Sequence, residues 1–247
     1  MVAGMRALVV LALLALPAGA QSACRQALLL ALDVSGSVDE REYRLQLDGL
    51  AAALLHPDVV AAFEAMPDAP VRLAVMEWSG PGFQRVLSPW REVADSAGLA
   101  TVAATLRGTG RVAADYSTAI GSALVRGGAE VQAQRGCWRR VIDVSGDGKS
   151  NVGPLPGSVG AELRGVTVNA LVIGEAGPTA REGRSPEIGE LVAYFRAYVL
   201  RGEDAFLETA RGFADFEAAM VRKLLRELRV VAVSEAEGRA SPTRRGD

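Results

Sequence analysis

The amino-acid sequence predicts an α/β domain: a doubly wound, mostly parallel central sheet of about six strands, one antiparallel edge strand, and helices on both faces. Three observations predict it. Apolar runs of strand length alternate with segments that repeat apolar residues at helical spacing. Those runs are apolar at nearly every position, as strands covered on both faces are. Between two of them lies the tight turn "SGPG" (79–82), where the alternation breaks and a hairpin fits.

The elements follow in chain order. "ALLLALD" (27–33) is a buried strand ending in an aspartate. "REYRLQLDGLAAALL" (41–55) sets Tyr43, Leu47, Leu50, Ala51 and Leu54 on one helical face, and Asp39 with Glu42 forms a capping box at its start. "VRLAVMEW" (71–78) and "FQRVL" (83–87) form the hairpin. "SAGLATVAATLRG" (96–108) and "STAIGSALVRGGAEVQ" (117–132) read as helices. "RRVIDVSGD" (139–147) and "VTVNALVIG" (166–174) read as strands, joined by a Gly/Pro-rich loop and a short helix at 158–164. Ser185 and Pro186 suit the cap and first turn of a helix over 186–200. "AFLET" (205–209) is a last short strand. "DFEAAMVRKLLRELR" (215–229) repeats Phe216, Met220, Leu224 and Leu228 on one face. No repeat or internal linker interrupts the span 24–230, and the polar tail 234–247 is expected to be disordered.

Composition bounds the function. The chain has 247 residues, 49% hydrophobic and 23% charged, enough for one large domain or two small ones. A net charge of −2 gives no electrostatic case for nucleic acid or an anionic membrane. Lysine occurs only at Lys149 and Lys223 while Arg and Ala abound, a signature of a GC-rich bacterial genome. Residues 1–20 read as a signal peptide: Arg6, the apolar run 7–16, and "AGA" (18–20) before Gln21. An uncleaved anchor and lipid attachment at Cys24 are the alternatives. Shortness counts against the first, and Gln21 counts against the second. The expectation is a periplasmic or secreted monomer with no membrane insertion after cleavage. In an oxidising compartment Cys24 and Cys137 are either one disulfide or two separate thiols. Position favours pairing. Cys24 lies nine residues before Asp33 and Cys137 ten before Asp147, each ahead of a strand with a similar ending.

Ligands of such sheets bind beyond the carboxyl ends of the strands. Three segments reach that edge: "DVSGS" (33–37), "STAIGSAL" (117–124) and "DVSGDGKS" (143–150). Asp33, Ser35, Ser37, Thr118 and Asp147 offer oxygen and neither nitrogen nor sulfur. Hard donors of this kind select Mg²⁺, Ca²⁺ or Mn²⁺ over zinc.

Here the chain resembles the von Willebrand factor type A domain, the family that includes the integrin inserted domains. The resemblance rests on Asp-x-Ser-x-Ser after the first strand, Thr-x-x-Gly-x-Ala-Leu in a middle helix, and the aspartate of Ser-Gly-Asp-Gly after a later strand. "VIDVSGDG" (141–148) and "EWSGP" (77–81) are similar to a bacterial subfamily that bears a domain-of-unknown-function label. The resemblance implies a metal-ion-dependent adhesion site holding a divalent cation, Mg²⁺ first. Ser35, Ser37 and Thr118 would bind the ion directly, and Asp33 and Asp147 mostly through water. The Thr118 contact would depend on conformational state. It also implies a protein partner that contributes a Glu or Asp carboxylate. Asp143 departs from the family's apolar residue; it is a candidate supporting partner of the site or a buried acid satisfied by the backbone.

Enzyme readings fare worse. "GDGKS" (146–150) lacks the glycine at 143 that a phosphate-binding loop requires. Ser35 stands where a haloacid-dehalogenase-type phosphatase has its second acid. The sole histidine, His56, precedes Pro57 at the end of the first helix, away from the ligand loops. The terminal "RGD" (245–247) is read as coincidence. The expectation is a binding module and not an enzyme; the alternative is a metal-assisted hydrolase or a subunit of an exported enzyme complex. The loops 79–83, 107–116, 149–157 and 175–186 would set partner choice, with Arg107, Arg111, Lys149, Arg181 and Arg184 leaning the rim towards acidic groups.

Overall fold

A computed structural model describes residues 23–174 and 188–238. The expected signal peptide, the 175–186 loop with Arg181 and Arg184, the Ser185–Pro186 helix opening and the last nine residues of the tail lie outside them. Six strands form one sheet in the order β3-β2-β1-β4-β5-β6. They are β1 (Cys24–Asp33), β2 (Val71–Trp78), β3 (Gln84–Val93), β4 (Cys137–Gly146), β5 (Thr167–Gly174) and β6 (Leu207–Arg211). Every pairing is parallel except β2 with β3, the hairpin at one edge.

Strand periodicity divides the core. Leu28, Leu30 and Leu32 of β1 face one layer, with α1 (Glu40–Leu54), α2 (Pro57–Glu64), α3 (Ser96–Gly108) and α6 (Phe216–Gly238). Leu29 and Ala31 face the other, with α4 (Ile120–Gln132) and α5 (Ile188–Tyr198). With both faces covered, β1 is buried at all ten positions. The capping box at Asp39 and Glu42 is present.

Strand order reverses at β1. The chain runs outward from β1 to β2 and β3, then returns to β1's other side with β4, β5 and β6. A sheet of this order leaves a crevice at the switch point, between the carboxyl ends of β1 and β4. Register places Leu32 beside Ser145, so Asp33 and Asp147 leave their strands side by side at that crevice.

Several elements depart from expectation. His56 does not close the first helix; it caps a second one, α2, its Nδ1 accepting from the Asp58 N–H at 3.3 Å. The proline at the first position of α2 starts that helix as well as stopping the previous one. Strand β3 runs on to Val93 through Pro89, because register shifts opposite Leu73 and Val75 absorb a residue that cannot donate to the ladder. The 158–164 segment is turns after a short 3-10 turn at Pro156–Ser158, not a helix. Helix α6 continues to Gly238, past Ser234, where the tail was expected to begin.

Cys24 and Cys137 are joined, as their matched positions before neighbouring strands predicted. They lie opposite each other in the β1–β4 register, at the amino ends of both strands.

Candidate metal centre

The five predicted residues converge at the β1–β4 crevice. Asp33 ends β1, and its Oδ1 accepts the backbone N–H of Ser35 at 2.8 Å, which curls the next turn back over the strand end. From there the hydroxyls form a chain. Thr118 Oγ1 lies 3.2 Å from Ser35 Oγ, Ser35 Oγ lies 3.4 Å from Ser37 Oγ, and Ser37 donates to Asp147 Oδ1 at 2.6 Å. Asp33, Ser35, Thr118 and Asp147 are buried, while Ser37 is exposed at the mouth.

One atom stands out. Asp33 Oδ2 is buried and has no hydrogen-bond partner. A buried carboxylate oxygen left unpaired is costly unless something cationic satisfies it. Gly146 keeps the space before it open: a Cβ there would sit 3.2 Å from that oxygen. Burial, then the charge of Asp147, push the Asp33 carboxyl up to about 8, against the Ser35 N–H that lowers it. Burial also raises Asp147, against the hydrogen bond from Ser37. Two neighbouring buried carboxyls that resist sharing negative charge are what a divalent cation would relieve. Among the described residues no three His, Cys, Asp or Glu side chains cluster as a metal group. An ion here would draw on two carboxyls and three hydroxyls, a donor set that suits a hard cation.

Neighbouring loops hold these side chains in place. Val34 N–H donates to Trp78 O at 2.9 Å, and Ala119 N–H to Ser79 O at 2.8 Å, so the "EWSGP" turn ties two of the three ligand loops together. Gln46 of α1 donates to Asp33 O at 2.9 Å. Sequence reasoning missed Gln46 and one residue more, Asn151. Helix α4 begins at Ile120, later than expected, and its N-cap, Ala119, has no capping side chain. Thr118 therefore precedes the helix, and the 149–157 loop fixes it from outside. Asn151 Oδ1 accepts Thr118 N–H at 2.9 Å, Asn151 N–H donates to Thr118 O at 2.9 Å, and Ser150 Oγ donates to the same carbonyl at 3.3 Å. The loop lies so close that a Cβ on Gly121 would meet Pro154 O at 1.9 Å. The signal was faint: an Asn in a Gly/Pro-rich loop reads first as a turn residue.

Asp143 is corrected. It is neither a partner of the metal edge nor satisfied by backbone. It faces α6, where Lys223 Nζ lies 2.8 Å from its Oδ2. His56 is far from the crevice. Its helix α2 lies at the opposite end of the sheet, where Arg25, next to Cys24, donates to the Ala62 and Phe63 carbonyls. Of the rim cations, Arg111 stacks over the Tyr43 ring at 5.6 Å, Lys149 pairs with Glu190, and Arg107 lies in the last turn of α3.

Strand order and the crevice at the strand ends are those of the von Willebrand factor type A fold. The chain belongs to the family described as protein of unknown function DUF1194, whose model matches residues 23–232. No curated protein matches the chain by sequence. Among solved structures it is similar to proximal thread matrix protein 1 of the mussel byssus, at 19% identity and TM-score 0.58, over 84% of this chain and 49% of that one. The chain thus spans about half the length of that protein. A further structure of the mussel protein, 16% identical over 84% of this chain and 46% of that one (TM-score 0.57), has a zinc-occupied adhesion-site motif. It is also similar to a von Willebrand factor type A protein from Catenulispora acidiphila, at 16% identity and TM-score 0.55, over 84% of this chain and 43% of that one. A conserved hypothetical protein, BatB, from Bacteroides thetaiotaomicron is 15% identical with TM-score 0.56, over 84% of this chain and 98% of that one. No described helix is long and apolar enough to cross a membrane.

Proposed function

We propose that this protein is an exported, metal-dependent adhesion-type module that holds a partner's Glu or Asp carboxylate through a divalent cation, Mg²⁺ first, at the β1–β4 crevice. The observation that carries the reading is a buried, unpartnered Asp33 Oδ2 at the same strand end from which a chain of three hydroxyls runs to Asp147. Ser35, Ser37 and Thr118 would hold the ion directly and Asp33 and Asp147 mostly through water. Hydroxyls bind a hard cation without cancelling its charge, so the ion keeps enough charge to attract a carboxylate from outside. The zinc-bearing site of the mussel protein supports divalent binding on this fold. Export is supported by the disulfide and by the leader-like first twenty residues. Binding is favoured over a histidine-based hydrolysis because the sole histidine caps α2, at the far end of the sheet.

Affinity of the isolated domain for Mg²⁺ is expected on the order of 10⁻⁴–10⁻³ M, the range of extracellular modules. It should tighten with partner, since the two bindings are reciprocal. Calorimetric titration with Mg²⁺ and Mn²⁺ tests this. Wild type should give a saturable heat that Asp33→Ala and Ser35→Ala lose while keeping their circular dichroism. Equal heats in wild type and Asp33→Ala would refute the reading.

A further inference from the structure

Two grooves flank the crevice, and they differ in charge. One, of about 410 Å³, lies between the 33–40 turn and the 111–116 loop. It presents Asp39, Glu40 and Asp115 against Arg111. The other, of about 710 Å³, is lined by Leu155, Pro156, Tyr194, Ala197 and Tyr198, with no acid. Leu155 is 69% exposed and Tyr198 54%, two large apolar side chains on one groove. The second groove is linked to the crevice by hydrogen bonds through the 149–157 loop. Its wall residue Tyr194 takes the Ser150 N–H on its hydroxyl at 3.3 Å, and Lys149 Nζ lies 5.9 Å over its ring. Ser150 and Asn151 in turn grip Thr118.

We propose that this groove receives a bulky apolar side chain from the same partner segment that brings its carboxylate to the ion. The inference rests on the metal-and-carboxylate reading above. Charge selects the groove: an acidic segment leaving the ion is repelled on one side, where Asp39, Glu40 and Asp115 outnumber Arg111, and meets on the other a Lys149–Glu190 pair with no net charge. Length sets the spacing. Asn151 and Leu155 are four residues apart, at most ~14 Å of extended chain. The apolar residue therefore lies within about five residues of the acid. Aromatic side chains suit an open groove walled by two tyrosines 5.2 Å apart.

The test uses dye-labelled Gly/Ser peptides with one central glutamate, and the same peptides with tryptophan placed one to five residues to either side. Binding to the purified chain is followed by fluorescence anisotropy in Mg²⁺, with and without chelator. At least one tryptophan register should bind about tenfold tighter than the glutamate-only peptide. Tyr198→Ser and Leu155→Ser, both exposed positions, should remove that gain while leaving Mn²⁺ affinity unchanged. No gain in any register, with Mn²⁺ binding intact, overturns the inference and leaves the metal reading standing. A gain that survives chelator overturns the metal reading and the composite site with it. Concentration-dependent dimerisation abolished by Tyr198→Ser would assign the groove to a second copy of this chain and overturn the inference too.

Discussion

Thr118 shows how a single hydroxyl is positioned. Its own helix gives it no cap, and its backbone is held on both sides by Asn151, with Ser150 assisting. Residues that orient a metal ligand from behind usually matter by ~10–100-fold in affinity. Asn151→Ala should therefore weaken Mn²⁺ binding by about that factor. Asn151→Asp should restore most of it, because an aspartate oxygen still accepts the Thr118 N–H. Isothermal titration of the two variants decides; equal losses would mean that the loop and not the acceptor matters. The five edge side chains were readable in the sequence because each sits in a short local pattern at a strand end or helix start. Asn151 was not, since its partner is 33 residues away and only the folded loop brings them together.

Elements were legible where one physical signal dominated. Strand β1 declares itself by an unbroken apolar run over 27–32, and α1 by its face and capping box. Pro57 sends two signals, stopping one helix and starting another, and only the tertiary fold separates them. The apolar face of α6 was equally plain, but not what it covers. Lys223, Asp143, Glu227, Asn169 and Gln26 meet beneath it: Lys223 lies 2.8 Å from Asp143 Oδ2, Gln26 donates to Glu227 at 3.0 Å, and Asn169 donates to its other oxygen. Burial raises both acids above their ordinary values of 3.8 and 4.5, in each case against the pull of Lys223. Acids raised by folding favour the folded state when protonated. Their contribution is fully present below about pH 4 and is lost as pH rises through the folded values. Lys223→Met would strand two buried acids, at a cost of ~3–5 kcal/mol at pH 7. That penalty should shrink as the pH is lowered towards 5, where the acids take up protons more readily. Urea unfolding of wild type and variant at both pH values measures it; a constant penalty would show that Lys223 acts by packing alone.

At the scale of the whole molecule, the sheet separates stability from function along one axis. The strand pair β1–β4 carries the disulfide at its amino ends and the proposed metal edge at its carboxyl ends. Nine strand steps from Cys24 to Asp33 span ~30 Å. The crossover that makes β1 and β4 neighbours also explains why matched spacing before Asp33 and Asp147 foretold the pairing: parallel strands in register start and end together. The bond closes a loop with a sequence separation of 113. Chain-entropy arithmetic for so long a loop allows up to ~4–5 kcal/mol, with ~2–4 usual for removal of a native bridge. The Cys24→Ala, Cys137→Ala double variant should therefore unfold at lower urea by an amount in that range, without a change in Mn²⁺ affinity under folding conditions. The two readouts test different claims. A small stability loss would mean that the unfolded chain is little constrained by the bridge. A loss of Mn²⁺ affinity in the folded variant would contradict the separation itself, because strain at the amino ends would then have to travel the length of two packed strands to reach Asp33 and Asp147.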